Sequence, residues 1–398
     1  MKPHPFSHPN ALNRREFVIA AGVFFASGHL SCGRIEDDRT PSTTKPTKDT
    51  TVDPIDIRVR IGTNVNKVLI NNKVFTKKDI GNSLKRVELK SGTTITIGDQ
   101  TKKITGTLFL HRREDNTTAF DVVAHIPIEQ YLPGVLAGEL FAHWHIETFI
   151  AQAVAARSYA TAQHLDRVGK SYFDVDDDPS SQMFLGDVTL DVAHRAVNAS
   201  SGILLSWKGS VIPAYYCACC GGTAATASDA ISGASTHDIP PLRGHEGADV
   251  CQSLDVHKWS ASRLSRTVRR RINACANRMN VPEFSSIRTI RSIEPSVVNS
   301  HGRPVQLAIY DRRNTPIEVR ARDLIRAVNA TIPSLPSPTP MIWSSNLIAS
   351  KAGNTVQFKG TGMGHGVGLC QYGAQERAGK GESWEDILAW YYPSVTIL

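Results

Sequence analysis

Residues 126–162 read IPIEQYLPGVLAGELFAHWHIETFIAQAVAARSYATA, and no other stretch restricts the fold as tightly. From Trp144 onward apolar residues recur at Ile146, Phe149, Ile150, Ala153, Val154 and Ala156, and neither Gly nor Pro intervenes before Gly169. That spacing predicts one long amphipathic helix. A shorter helix is expected before it, with Pro127 at a first helical position, a stripe of Ile128, Leu132 and Val135, and a stop near Gly138; Pro133 and Gly134 argue against it. Glu139 then falls at the junction of two helices, beside Leu140, Phe141 and Trp144. A carboxyl group in apolar surroundings is expected to hold its proton to higher pH, because desolvation disfavours the charged form, and so to suit general acid work. The bland alternative is a surface Glu at a helix start. Glu147, in the first turn of the long helix, reads as a structural charge favoured by the helix dipole.

The 398 residues are 41% hydrophobic and 21% charged, enough for a substantial core and two or three lobes. The formal charge is +8, which favours anionic surroundings such as cell-wall polymers or membrane surfaces. Nucleic acid is not expected as a partner, because the basic residues are scattered and no zinc-finger, RNP or basic-helix motif is present. Nucleotide-binding and H-E-x-x-H fingerprints are also missing.

Arg14 and Arg15, then an apolar run over residues 17–26, have the order of an export signal and resemble the twin-arginine type. Cys32 after Leu30 and Ser31 resembles a lipoprotein attachment box, which would anchor the protein to a membrane; ordinary cleavage is the other reading. Residues 1–32 are thus an expected export signal and 33–54, rich in Thr, Pro, Asp and Lys, an unfolded tether. The expected location is the periplasm or cell envelope.

Residues 55–125 alternate apolar and polar positions between Gly, Asn and Asp turns, as a small β lobe would. Residues 187–201 suit another helix and 202–207 a strand leading to residues 212–216. Residues 260–330 read as mixed helix and strand, and 335–340, LPSPTP, as a connector. Gly221 and Gly222 permit positive φ and close backbone approach, so that either substrate binding or a tight turn fits them. Four glycines within residues 362–368 suit a loop close to a ligand, with a helix opening over 372–378. His365 in that loop could bond a sugar or orient Glu139, or be a turn histidine bonded to nearby backbone.

Several of these segments resemble one family. Residues 129–160 are similar to the signature of the stage II sporulation protein D family, roughly E-x-Y-L-x-G-V-V-x-G-E-M followed by W-x-x-E-A-L-K-A-Q-A-V-A-A-R-T-Y-A. Residues 180–186, SSQMFLG, resemble its S-Q-x-Y-x-G turn, CACCGGT lies where it has S-T-S-G-G, and residues 358–378 resemble its closing G-x-G-H-G-V-G-M-S-Q-x-G-A, with Cys370 in place of Ser. The resemblance covers about residues 55–398. It implies an α+β fold: a β-rich N-terminal lobe (55–125), a central long helix with mixed α/β lobes (126–330), and a C-terminal glycine-rich loop and helix (341–398), flanking a glycan groove.

It also implies a lytic transglycosylase that cuts peptidoglycan glycan strands, preferably stripped of stem peptides, at the MurNAc-GlcNAc bond. Glu139 would be the catalytic acid, with Gln182, Gly221, Gly222, His365 and Gln371 binding substrate, and the chemistry requires no cofactor. The same family includes members described as amidase enhancers, so a non-catalytic wall protein with a cell-wall amidase as partner is the alternative. A cysteine peptidase built on Cys217 or Cys220 matches no nucleophile signature.

Setting Cys32 aside, six cysteines remain: Cys217, Cys219, Cys220, Cys251, Cys275 and Cys370. Disulfides are one expectation for an exported protein. Free buried thiols are another, and a structural zinc is the third, held by Cys217, Cys220 and Cys251 with a histidine such as His245 or His257; by resemblance, some family members hold a metal near the Gly-Gly turn. The sequence does not choose between them.

Overall fold

The computed structural model describes residues 55–398, apart from residues 82–83, 114–117, 180, 232, 235–236 and 313. The expected export signal and tether, with Cys32, lie outside the described residues. The described chain forms two compact units, residues 55–215 with 382–389 and 394–398, and residues 216–381 with 390–393.

The first unit is built on the expected β lobe. Its strands are β1 (Asp56–Val65), β2 (Lys67–Ile70), β3 (Lys73–Thr76), β4 (Leu84–Ile97), β5 (Gln100–Arg112) and β6 (Phe120–Pro127), in the spatial order β3-β2-β4-β5-β6-β1. A short β7 (Val175–Asp176), from beyond the long helix, adds to β1 in parallel. Alternation along β1 puts Ile57 and Val59 inside, whereas Phe120, Asp121, Val122, Val123 and Ala124 of β6 are all buried. β6 lies between β5 and β1 and runs directly into α1 (Ile128–Glu139), whose first amide donates to the Ile55 carbonyl at 3.0 Å.

Pro133 lies inside α1, and the helix runs through it. The missing amide costs a single helical hydrogen bond near the N-terminus, offset by burial of Tyr131, Leu132, Val135 and Leu136. The long helix α2 spans Ile146–Arg167 and starts at His145, whose Nδ1 accepts from the Glu147 amide at 3.2 Å. Its residues 148–158 are buried without exception, and Ala151, Ala153, Ala155 and Ala156 let neighbours approach closely. Glu147 has the expected structural role, accepting from the Trp384 amide at 2.9 Å. The next helix, α3 (Asp191–Ala199), is shorter than the expected 187–201, and the strand expected from residue 202 begins at Leu205. Residues 212–215 are irregular, and pairing resumes only at Tyr216–Cys217.

The second unit is mixed α/β, as expected for residues 260–330. One sheet pairs Lys258–Leu264 with Thr355–Thr361 and Leu347–Ala352, and another is a meander of Ser292–Val298, Pro304–Tyr310 and Pro316–Arg320. Helices Ser265–Met279 and Ala321–Asn329 close a core containing Val268, Ile272, Phe284, Leu324, Ile325 and Phe358. The Pro-rich connector has no regular structure; Arg263 and Arg271 donate to its Pro336, Pro338 and Pro340 carbonyls. No helix among the described residues is long and apolar enough to cross a membrane.

Candidate active site and a thiol cluster

Glu139 is the last residue of α1. At Leu140 the backbone turns extended (φ −118°), and α2 starts six residues later. The side chain is half-buried beside Leu140 (3% exposed), near a Phe141–Trp144 ring pair with centroids 5.3 Å apart. The expected helix junction is therefore present. Its Oε1 accepts from the Met183 amide at 3.0 Å, which fixes the direction of the carboxyl group.

That hydrogen bond depends on how residues 182–187 dock. Gly134 and Gly138, one helical turn apart, share a face of α1. A Cβ on Gly134 would meet the Gly186 carbonyl oxygen at 2.3 Å and the Phe184 ring at 2.6 Å, and one on Gly138 the Met183 carbonyl at 2.9 Å. The loop backbone thus lies on bare helix, and the Leu185 amide donates to the Gly134 carbonyl at 3.1 Å. On the loop's other side the Asp187 amide donates to Lys103 at 2.7 Å and the Lys102 ammonium to Phe184 at 2.6 Å. Gly134→Ala is accordingly expected to unseat the loop. Overpacking costs about 1–3 kcal/mol, and contact with backbone rather than a movable side chain places this variant at the upper end or beyond, read by denaturant unfolding.

Gln182 is wholly buried: its amide donates to the Ala156 carbonyl at 3.2 Å, and its Oε1 accepts from Tyr131 Oη at 3.1 Å. In this arrangement it ties the loop to α1 and α2 rather than facing solvent. Asp177, which the sequence reading passed over, is buried against Lys102 and accepts from the Phe184 amide at 2.9 Å. Burial pushes its carboxyl up to about 6, against the pull of Lys102. A carboxyl raised on folding binds its proton more tightly in the native state, so its contribution to stability is largest below about pH 4 and falls as pH rises to about 6. Unfolding free energies measured from pH 4 to 7 should show that decline, and Asp177→Asn should flatten it.

The remaining candidates belong to the second unit. Gly221 and Gly222 adopt φ of 75° and 84°, and a Cβ on Gly221 would meet Gly362 N and the Thr361 carbonyl carbon at 2.7 Å. The two glycines make a tight turn that packs on the glycine-rich loop. Cys219 and Met363 exchange backbone hydrogen bonds of 3.0 and 2.8 Å, and Tyr216–Cys217 pairs in parallel with Leu369–Cys370. Arg303, 1% exposed, binds the two motifs together: Nη1 donates to the Cys220 and Thr223 carbonyls at 2.8 and 2.9 Å, and Nη2 to Gly364 at 3.2 Å. A Cβ on Gly366 would strike this guanidinium at 2.4 Å. Arg303 sits in the least distinctive part of the sequence, and no local signal marks it.

His365 is half-buried; its Nδ1 accepts from the Val367 amide at 3.0 Å, as in the turn-histidine reading, and burial together with Arg303 lowers its pKa to about 4. It is neutral at pH 7. Gln371 is 2% exposed and opens the helix Gln371–Gly379, close to the expected start.

The six cysteines described are all buried and unbonded to one another. The structure brings Cys220 and Cys251 together as expected, but with Cys370 and Asp249 in place of Cys217. Cys217 is in the strand before the turn, where burial pushes its thiol up to about 12. His245 stands 3.8 Å from Cys220 Sγ, whereas neither ring nitrogen of His257 has a hydrogen-bond partner among the described residues.

Fold and site together define an α+β protein with one carboxylate fixed at a helix junction and a separate buried thiol cluster. The profile of the SpoIID (Stage II sporulation protein) family matches residues 116–207, which include α1, Glu139, α2 and the docked loop. The chain is 29% identical to an uncharacterized protein of Brachyspira hyodysenteriae, over 70% of this chain and 68% of that one. It is 26% identical to the amidase enhancer of Bacillus subtilis, over 67% of this chain and 40% of that protein. Stage II sporulation protein D of Bacillus amyloliquefaciens is 25% identical, over 69% of this chain and 75% of its own. Residues 116–207 thus match the stage II sporulation protein D family, and proteins named after it are similar over about 70% of the chain.

Proposed function

We propose that the protein is an exported cell-wall enzyme, a lytic transglycosylase that cuts the MurNAc-GlcNAc bond of glycan strands, with peptide-stripped strands as the preferred substrate. The observation that carries this reading is Glu139, half-buried at the α1–α2 junction, flanked by apolar side chains and aimed by the Met183 amide. Protonated Glu139 gives its proton to the bridging oxygen as the bond from that oxygen to the muramyl anomeric carbon breaks. The resulting carboxylate takes the proton of the muramyl 6-hydroxyl, whose oxygen bonds to the same carbon and closes a 1,6-anhydro ring. Because the nucleophile belongs to the substrate, neither water nor a second enzymic carboxylate is consumed.

The test incubates the purified protein with peptide-free glycan strands and resolves the products by mass, alongside Glu139→Gln. Anhydro-ended sugars from the native protein alone would support the proposal, and reducing ends would indicate hydrolysis instead. Intact strands, with retained binding, would favour a second reading. That reading is a wall-binding partner of an amidase, suggested by the likeness to the amidase enhancer.

A further inference from the structure

Cys220, Cys251, Cys370 and Asp249 come from three places: the Gly-Gly turn, the short 3-10 turn Val250–Ser253 with the residue before it, and the N-cap of helix Gln371–Gly379. One ligand atom from each lies within 4.8 Å of all the others, and all four residues are buried. From these positions we infer that the cluster is a structural site for a soft divalent cation, zinc fitting best, held by the three sulfurs and the Asp249 carboxylate.

Four observations carry this. Cys220 Sγ and Cys251 Sγ are 3.5 Å apart. Ligands at about 2.3 Å in a tetrahedron stand about 3.8 Å from one another, whereas a disulfide needs about 2.05 Å. The groups also converge on one point instead of forming pairs, since Asp249 Oδ2 is 3.6 Å from Cys220 Sγ. The sulfurs accept backbone amides as thiolates do: Gly222 N donates to Cys251 Sγ at 3.2 Å, and Cys220 N and Gly373 N each donate to Cys370 Sγ at 3.3 Å. Finally, Asp249 is oriented from behind by Tyr391 Oη, 3.0 Å from both oxygens, and by Arg377 at 3.5 Å, the support that ligating carboxylates require. A Cβ on Gly373 would strike Tyr391 Oη at 2.1 Å and Asp249 Oδ2 at 2.2 Å, so the helix start is kept bare to admit them. Three thiolates select zinc over magnesium or calcium. The ion would join the Gly-Gly turn to the glycine-rich loop, which gives Cys370 a purpose that the serine usual in the family would not serve.

Cys219 is the nearest competitor, with its thiol in hydrogen-bonding reach of Cys251 and Cys370. Its sulfur is not one of the four ligand atoms that lie within 4.8 Å of one another, which places it outside the ligand set.

The experiment measures metal content of the full chain purified without chelator. About one zinc per chain is expected, falling below about a tenth in Cys251→Ser and in Cys370→Ser. Cys217→Ser, Cys275→Ser and Cys219→Ser should keep the zinc. Because a ligand variant can fail to fold, the wild-type protein is also exchanged with cobalt(II), where thiolate-to-metal charge-transfer absorption reports sulfur ligation directly. A metal-free protein with free thiols, or one with a Cys220–Cys251 disulfide, overturns the inference. Zinc lost from Cys219→Ser but kept by Asp249→Asn overturns the donor set.

Discussion

Replacing Glu139 with Gln is expected to lower the rate of glycan-strand cleavage by about 10²–10⁴-fold, the usual contribution of a positioned general acid, while leaving the unfolding free energy within about 0.5 kcal/mol of the parent. The two parts of this expectation have separate physical origins. Gln keeps the length of Glu and an oxygen at the Oε1 position, so the Met183 amide at 3.0 Å still has its acceptor and the loop stays docked. What Gln lacks is a proton that can leave. Glu139→Asp supplies the complementary case, because it keeps the ionisable group but draws it back by one methylene from the end of α1. A misplacement of about 1 Å can cost about 10²-fold, so the Asp variant should also be severely impaired. Initial rates on peptide-free strands, paired with urea melts of the same preparations, separate the two effects. Cleavage by Glu139→Gln at the parent rate would move the chemistry to another residue.

Much of the first unit was legible because its elements are local. The apolar spacing after Trp144 corresponds to a helix that spans Ile146–Arg167, and the β lobe follows its alternation. The junction at Glu139 could be read for the same reason. Pairings between distant segments could not. Gly134 and Gly138 look like helix breakers in the sequence, yet they are the seat of a loop near residue 184, and only three-dimensional proximity reveals the need for a bare helix face. Gln182, a substrate ligand by family resemblance, is enclosed between Tyr131 and Ala156.

The same distinction explains the cysteines. Spacing alone suggested Cys217 with Cys220 and Cys251, because these are near one another in the chain and Cys370 is not. The parallel pairing of Tyr216–Cys217 with Leu369–Cys370 carries Cys370 to the turn. Arg303 was invisible for a related reason, since its role consists of hydrogen bonds to carbonyl groups, which leave no mark on its partners' side-chain identities.

The largest stability effect is expected at the pair formed by Glu129 and Arg157, twenty-eight residues apart and both within the matched family segment. Arg157 Nε and Nη2 donate to the two Glu129 oxygens at 2.8 Å each, and Nη1 reaches the Ile203 carbonyl at 3.3 Å. The burial is unequal, since the Arg157 side chain is 2% exposed and that of Glu129 36%. Glu129→Ala therefore leaves a guanidinium enclosed without its counter-charge; breaking a fully buried pair costs about 3–5 kcal/mol, and solvent access to Glu129 places this one toward the lower end. Arg157→Ala instead leaves a carboxylate that can turn to water, so its cost comes mainly from the cavity and the lost bonds to Ile203 and α2's surroundings. Arg157→Met removes the charge, keeps most of the volume and should be mildest. The expected order of destabilisation is Glu129→Ala, then Arg157→Ala, then Arg157→Met, and denaturant unfolding at pH 7 with an unchanged m-value would establish it. Equal losses in all three would mean that the ion pair common to them, rather than the charge left enclosed in Glu129→Ala, sets the stability of the α1–α2 pair on which Glu139 is mounted.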